Sequence, residues 1–352
     1  MLAVVLDRPA ARYELAGISL LERMVVALRR GGADEIVVVG EGPLPPFRRL
    51  AALGIEPRLA AAAPGPQAGE RITADGALFA LPRDVRNVIE TRGALVGLPL
   101  RFEGTSPTAP PAVAHEGPAF VVEDETSRKR AEDLLWASLG SSMDGVIDRW
   151  LNRPLGRLFS RILVRTSVTP NQITVFGTLI GIGGALLIAE GGVWTALFGA
   201  FVFQLSAAID CVDGEIARVT FRESALGKWL DLWLDNAVHL ALFVAIALHG
   251  VRSGAMTPTL SILLGVSTVV GALVSFAVVL RGMRIPPERR DRRIAAIIDR
   301  MTNRDFSILV VGFALLQHIE WFLWLSGTLS HAFWILAWIA SARPEPVEGR
   351  MG

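Results

Sequence analysis

The sequence predicts two structural classes in one chain: a small α/β domain first, then an all-α membrane domain of six transmembrane helices. Three observations carry this. Residues 1 to about 140 interleave short apolar runs with charged ones, residues from about 171 to 341 are dominated by long apolar runs, and a series of arginines spaced four apart separates them. A chain of 352 residues, 51% hydrophobic, is long enough for two domains with separate cores. A formal net charge of +1 argues against nucleic acid as a partner. Cys211 is the single cysteine, so no disulfide can form within the chain and the redox compartment stays open.

Residues 3–6 (AVVL) read as a buried strand, and residues 18–30 carry apolar side chains at helical spacing until Gly31 and Gly32 stop them. Residues 35–39 (EIVVV) read as a second strand and 46–55 as a short helix. This alternation predicts a mostly parallel, Rossmann-like sheet. The Pro/Ala/Gly-rich stretches 61–69 and 105–118 read as loops, Phe120 to Val122 as a further strand, and a charged helix begins near Glu125. The N-terminal apolar run is too short and too early-charged for a signal peptide, which keeps the first domain in the cytoplasm.

In residues 143–167, Arg149, Arg153, Arg157, Arg161 and Arg165 drift along one helical face. Ile147, Trp150, Leu151, Leu155, Leu158, Phe159 and Ile162 fill the other. That pattern predicts an amphipathic helix lying on an anionic lipid surface, bent or restarted at Pro154. A solvated basic face on a water-exposed helix is the alternative. The expected domains are therefore 1–124 (α/β), 125–168 (linker and interfacial helix), 169–342 (membrane) and a tail, 343–352.

Six apolar segments follow, at 171–189, 193–209, 229–248, 257–280, 306–324 and 328–341. The second is short but extends through 210–218, which keeps helical periodicity; the last is marginal against the about 20 residues a span needs. Orientation follows from basic residues. The junction 281–304 carries eight arginines, whereas loops 190–192, 249–256 and 326–330 carry only Arg252. Both termini and the basic junction are thus expected on the cytoplasmic side of an inner membrane.

The stretch DCVDGEIARVTFRESALGKWLDLWLD, residues 210–235, lies at the mouth of this bundle. Asp210, Asp213, Gly214 and Ala217 share one helical face, and Gly227, Asp231 and Asp235 share one face of the next helix. Four carboxylates brought together would not all ionise without cations, and hard oxygen ligands in that number suit Mg²⁺ or Mn²⁺. The glycines and Ala217 remove bulk where a ligand would approach. Two metals held by carboxylates are a device for displacement at phosphorus, and proton relays or ion pathways also use intramembrane acids.

The stretch fits D-x2-D-G-x2-A-R-x8-G-x3-D-x3-D at every fixed position. It resembles the signature of the CDP-alcohol phosphotransferase (CDP-alcohol phosphatidyltransferase) family of six-helix membrane enzymes. The resemblance implies that Asp210, Asp213, Asp231 and Asp235 hold a two-metal Mg²⁺ or Mn²⁺ site, with Asp235 also the general base. It implies a cytidine pocket at Gly214, Ala217 and Gly227, with Arg218 at the diphosphate. It also implies a CDP-alcohol donor, an alcohol or alcohol-phosphate acceptor, release of CMP, and a homodimer. TPNQIT, residues 169–174, resembles the family's opening motif and places Asn171 either at the donor phosphates or as a helix cap. Arg304, with Arg281 and Arg284 as weaker candidates, is read either as an acceptor-phosphate ligand or as an orienting positive charge. His239, one turn beyond Asp235, is expected to be a packed side chain. Gly265 and Gly271 offer small surfaces for either dimer or internal packing.

Residues 15–40 resemble the second half of a sugar-phosphate nucleotidyltransferase opening motif. The whole layout resembles the bifunctional inositol-phosphate cytidylyltransferase/di-myo-inositol-phosphate-phosphate synthases, in which one domain makes CDP-inositol and the other consumes it. The sequence departs from that pattern where a triphosphate would bind. The first strand runs into Leu6-Asp7-Arg8-Pro9-Ala10-Ala11-Arg12, with no glycine before Gly17 to bring backbone N–H groups to phosphate. Asp75 is the one candidate metal aspartate there, and a turn acid is the plainer reading. The domain is expected to be degenerate, which leaves the donor open between CDP-diacylglycerol and a CDP-inositol-like compound. An ion or proton pathway, an inactive scaffold, and a bifunctional enzyme whose N-terminal domain still makes the CDP-alcohol are the competing functions.

Overall fold

The computed structural model describes residues 1–64, 70–103, 109–140, 145–283 and 306–342. It divides into two compact units, Met1–Leu139 with Arg218–Phe221, and Gly140–Ala217 with Arg222–Gly352.

In the first unit, strand β1 (Leu2–Leu6) is apolar on both faces because both are covered. The short pair β2 (Glu14–Leu15) and β3 (Ile18–Ser19) leads into helix α1 (Leu20–Arg30), whose N-cap Ser19 accepts from the backbone N–H of Glu22 at 3.2 Å. The expected helix at 18–30 thus starts two residues late. Strands β4 (Glu35–Val39), β5 (Arg58–Ala60), β6 (Arg71–Asp75) and β7 (Leu78–Phe79) follow. Helix α2 (Pro82–Thr91) then precedes β8 (Ala94–Leu95), β9 (Leu100–Glu103), β10 (Ala112–Val113) and β11 (Phe120–Val121). The main sheet runs β10-β8-β9-β6-β1-β4-β5. β1 is parallel to both neighbours, Val4 facing Val37 and Thr73, while β9 is antiparallel to β6. Helix α3 (Glu125–Ala137) opens with a capping box between Asp124 and Ser127, as its charged start suggests.

The helix expected at 46–55 does not form beyond a turn at Ala51–Leu53. The buried carboxylate of Glu22 on α1 accepts from the N–H groups of Arg48, Arg49 and Leu50 at 3.2, 2.6 and 3.2 Å. Gly54, at φ 65°, then turns the chain away. Helix α2, which the sequence reading passed over, starts on Pro82 and buries Val85 and Val88.

In the second unit a π-turn, Asp148–Asn152, feeds helix α4 (Arg153–Leu163), so the expected restart at Pro154 is present. Helices α5 (Pro170–Ala189), α6 (Val193–Val219), α7 (Ala225–Arg252) and α8 (Pro258–Met283) follow. α9 (Phe306–Leu315) and α10 (Trp321–Ala342) complete the described part. Residues 170–189, 193–219, 225–252 and 258–282 are long and apolar enough to cross a membrane, at mean hydropathies of 1.9, 1.6, 1.6 and 2.5. α6 runs unbroken through the acidic motif, as its periodicity predicts. Where α5 crosses α6 the backbones touch: a Cβ on Gly184 would stand 2.8 Å from the Gly199 carbonyl oxygen.

Two expectations change here. The segment expected to be continuous over 306–324 breaks after Leu315. Gln317 adopts φ 62°, and the N–H groups of Gln317 and His318 close on the carbonyls of Ala314 and Phe313. The next helix accordingly starts at Trp321 and not at 328. The arginine stripe of the amphipathic helix is also split: Arg149, Arg161 and Arg165 are exposed as expected, and only Arg153 and Arg157 turn toward the protein. Arg153 (9% exposed) packs inward, while Trp150, Leu158 and Ile162 point outward at 82, 62 and 61% exposure.

Candidate active site

The acids are positioned by how their helices start. α5 opens on a capping box: Gln172 Oε1 accepts from the N–H of Thr169 at 2.9 Å, and the N–H of Gln172 donates back to Thr169 Oγ1 at 3.4 Å. Pro170 sits at the first helical position, where its missing N–H costs nothing. α7 opens on Ser224, whose Oγ accepts from the N–H of Gly227 at 2.9 Å. These caps set the starts of two helices at one level. A Cβ on Gly227 would come 3.0 Å from Asn171 Oδ1, so the glycine leaves room for that side chain.

One carboxylate oxygen from each of Asp210, Asp231 and Asp235 lies within 4.8 Å of the others. All three side chains are partly buried. Among the described residues, Asp231 Oδ1 is buried without a hydrogen-bond partner, an arrangement that favours a bound cation over three mutually repelling anions. An all-oxygen donor set of this kind fits Mg²⁺ or Mn²⁺.

Asp213 lies on the same helix as Asp210. It is 7% exposed, and its Oδ2 accepts a hydrogen bond from Thr174 Oγ1, one turn along α5 from Asn171. Thr174 was not singled out in sequence, although it closes the TPNQIT motif. Gly214 and Ala217 are half-exposed and Arg218 is exposed. The Arg218 guanidinium donates to the Leu139 carbonyl at 3.4 Å. Arg281 is exposed at the end of α8. Arg284 and Arg304 lie outside the described residues. The Cys211 thiol donates to the carbonyl of Ala207 at 3.7 Å.

Two cavities meet at Asp235. The smaller, about 30 Å³, includes Thr178, Ser206, Asp210 and Ser307 in its wall. The larger, about 420 Å³, runs from Asp231 and Asp235 between α7, α8 and α10. Its wall carries Phe243, Phe276, Phe306, Phe322 and Phe333, and no arginine or lysine among the described residues. Its hydroxyls are turned back on the helices: Ser275 donates to the Ser330 carbonyl, Ser326 to that of Phe322 and Ser330 to that of Gly327. His239 borders both cavities and packs edge-on against Phe306, ring centres 5.0 Å apart. Its packing, one turn beyond Asp235, is as expected.

The model of the CDP-alcohol phosphatidyltransferase family matches residues 167–342. The chain belongs to that family.

Among curated relatives, the chain is 34% identical over 125 residues to a bifunctional IPC transferase and DIPP synthase of Aquifex aeolicus, covering 36% of this chain and 28% of the relative. It is 37% identical over 90 residues to a phosphatidylinositol phosphate synthase of Streptomyces avermitilis, covering 26 and 36%. It is 30% identical over 100 residues to an archaetidylinositol phosphate synthase of Pyrococcus horikoshii, covering 28 and 51%. The matches thus span about a quarter to a half of the relatives' lengths. Among solved structures, the phosphatidylinositol phosphate synthase of Mycobacterium tuberculosis with manganese and citrate aligns at 20% identity and TM-score 0.41, over 56% of this chain and 93% of that one.

Proposed function

We propose that this CDP-alcohol phosphatidyltransferase family member is an integral membrane phosphotransferase that moves the phospho-alcohol of a CDP-alcohol onto an acceptor hydroxyl. The observation that carries the reading is the meeting of Asp210, Asp231 and Asp235 from two helices within 4.8 Å. These three residues would hold Mg²⁺ or Mn²⁺, with Asp213 completing the ligand set that the family resemblance assigns. When bound, the metal supplies positive charge to the diphosphate oxygens and to the departing CMP. Asp235 takes the proton of the acceptor hydroxyl, whose oxygen attacks the β-phosphorus. The bond from that phosphorus to the bridging oxygen breaks, and CMP leaves with the oxygen. Asn171 and Gly227, already side by side, line the nucleotide end with Gly214, Ala217 and Arg218.

The phenylalanine-lined cavity beside Asp235 favours a donor with acyl chains, CDP-diacylglycerol, over a CDP-polyol. The acceptor is an alcohol or alcohol phosphate, the latter met by Arg304, Arg281 or Arg284. Six spans with both termini and the site on the cytoplasmic side account for the arginine-rich 281–304 junction. A homodimer, as the family resemblance implies, would use faces other than Gly265 and Gly271. Added Cβ atoms there would meet Ala247 and Ser330 of the same chain at 2.6 and 2.3 Å.

The α/β unit is read as a degenerate nucleotidyltransferase-like domain. Asp75, 1% exposed, is engaged by Arg8 Nε at 3.1 Å and by its own turn, the N–H of Ala77 at 2.9 Å. Pro9 opens a 3₁₀ turn, Pro9–Arg12, where a glycine-rich loop would cradle phosphates.

The test is CMP release by purified protein offered CDP-diacylglycerol or CDP-inositol, with glycerol phosphate, inositol phosphate or serine as acceptor. Release with CDP-diacylglycerol supports the reading in full. Release with CDP-inositol alone overturns the donor assignment, and ion flux with no CMP from any pair favours the ion-pathway alternative.

A further inference from the structure

Helix α6 has a second face. Opposite its acids, Gln204, Ala208, Cys211 and Glu215 recur every three or four residues and meet α4. Glu215 is fully buried, two residues after Asp213 and so about 200° around the helix. Its Oε2 accepts from Ser160 Oγ at 2.9 Å, and its Oε1 lies 3.3 Å from Arg153 Nη1 and 3.8 Å from Arg157 Nη2.

Three turns away the same seam closes again. Asn152, also fully buried, accepts from Gln204 Nε2 at 2.6 Å and donates to Asp148 Oδ1 at 2.8 Å. Between these bonds the helices touch at Gly156, where a Cβ would stand 2.8 Å from the Ala208 carbonyl oxygen. The π-turn Asp148–Asn152 brings Asn152 to this seam just ahead of Arg153.

A buried carboxylate is tolerated only with its partners in place, and such a group tolerates one register and no other. Two polar clamps with a glycine contact between them therefore fix how far α6 is rotated about its own axis. Its acidic face inherits that rotation. A carboxylate lies about 5 Å from a helix axis, so a 20° slip moves it by roughly 2 Å. Misplacement by about 1 Å is enough to cost about 10²-fold in rate.

We propose that Glu215 is a positioning residue: held by Arg153, Arg157 and Ser160 of α4, it sets the rotation of α6 that aims Asp210 at Asp231 and Asp235. This rests on the proposed metal-site reading of the acid trio. It also gives two arginines of the basic stripe a role inside the protein and not on the lipid surface.

The test compares Mn²⁺ binding, followed by electron paramagnetic resonance titration, in the purified parent chain, in Glu215→Gln and in Glu215→Met/Arg153→Met. CMP release and thermal unfolding are read alongside. In Glu215→Gln the Mn²⁺ half-saturation rises at least tenfold and CMP release falls about 10²-fold. The double variant replaces buried charge by apolar packing, so it regains thermal stability relative to the single one. Its Mn²⁺ affinity stays weak, because methionines restore volume without direction. Parent-like Mn²⁺ affinity in either variant, or affinity that recovers together with stability, overturns the positioning role. A parent chain that binds no Mn²⁺ overturns the metal reading first, and the positioning role with it.

Discussion

Two aspartate sites, one in each unit, differ in how their carboxylate oxygens are satisfied. Asp75 in the α/β unit is buried, and its two oxygens are taken by Arg8 and by the backbone of its own turn. In the membrane unit, Asp231 is buried with an oxygen that nothing in the described protein satisfies, and two further carboxylates point at the same space. A protein that keeps a cation site must leave its ligands incomplete until the ion arrives, at a cost in stability. On the proposed reading of the α/β unit as degenerate, that incompleteness has no use there, and Arg8 satisfies the carboxylate instead.

The largest effect that would sharpen this contrast is at Asp235. Asp235→Asn keeps the volume and removes the base, so CMP release should fall by about 10³-fold while the unfolding temperature holds or rises. A fall of less than tenfold would move the base elsewhere. Next comes Thr174→Val, which takes the hydroxyl from Asp213. Release should drop about tenfold, with weaker Mn²⁺ dependence, as measured by titrating metal at saturating donor. If the metal dependence is unmoved, Thr174 is only a helix contact.

On the other side of the comparison, Asp75→Asn should leave CMP release unchanged and lower the stability of the α/β unit by about 1–2 kcal/mol, read by denaturant unfolding. Loss of CMP release in that variant would show that the domain still serves the reaction.

The smallest effect concerns the cap of α3. Hydrogen bonds from the Ser127 hydroxyl and N–H hold the Asp124 carboxyl below its ordinary value of 3.8. A depressed folded-state value means the cap contributes fully above pH 3.8 and is lost as pH falls through the lower folded value. Helix content followed by circular dichroism should show a slight loss only below that pH, absent in Asp124→Ala.

Much of the site was legible because it is local. Asp210 and Asp213 share one helix, Asp231 and Asp235 the next, and three- and four-residue spacing is enough to align them. The division into α/β and membrane parts was legible from the length of apolar runs. What escaped was set by distant partners. Nothing in residues 46–55 says that Glu22 will take the N–H groups of Arg48, Arg49 and Leu50. Arg153 and Arg157 read as part of a surface stripe because their partner, Glu215, lies about sixty positions later at a motif position that tolerates any residue. The bond from Thr174, on a different helix, to Asp213 could not be read from spacing alone. The break at Gln317 was hidden inside an apolar average, where one left-handed residue outweighs its neighbours.

The central claim is that the carboxylates of α6 and α7 form a metal-dependent phosphotransfer centre. It is tested most directly by measuring CMP release from CDP-diacylglycerol after removing divalent metal with chelator and adding back Mn²⁺. No release is expected in chelator, with full recovery on adding Mn²⁺ or Mg²⁺ and no recovery in Asp231→Asn. Release that persists in chelator, or that Asp231→Asn leaves intact, would contradict it.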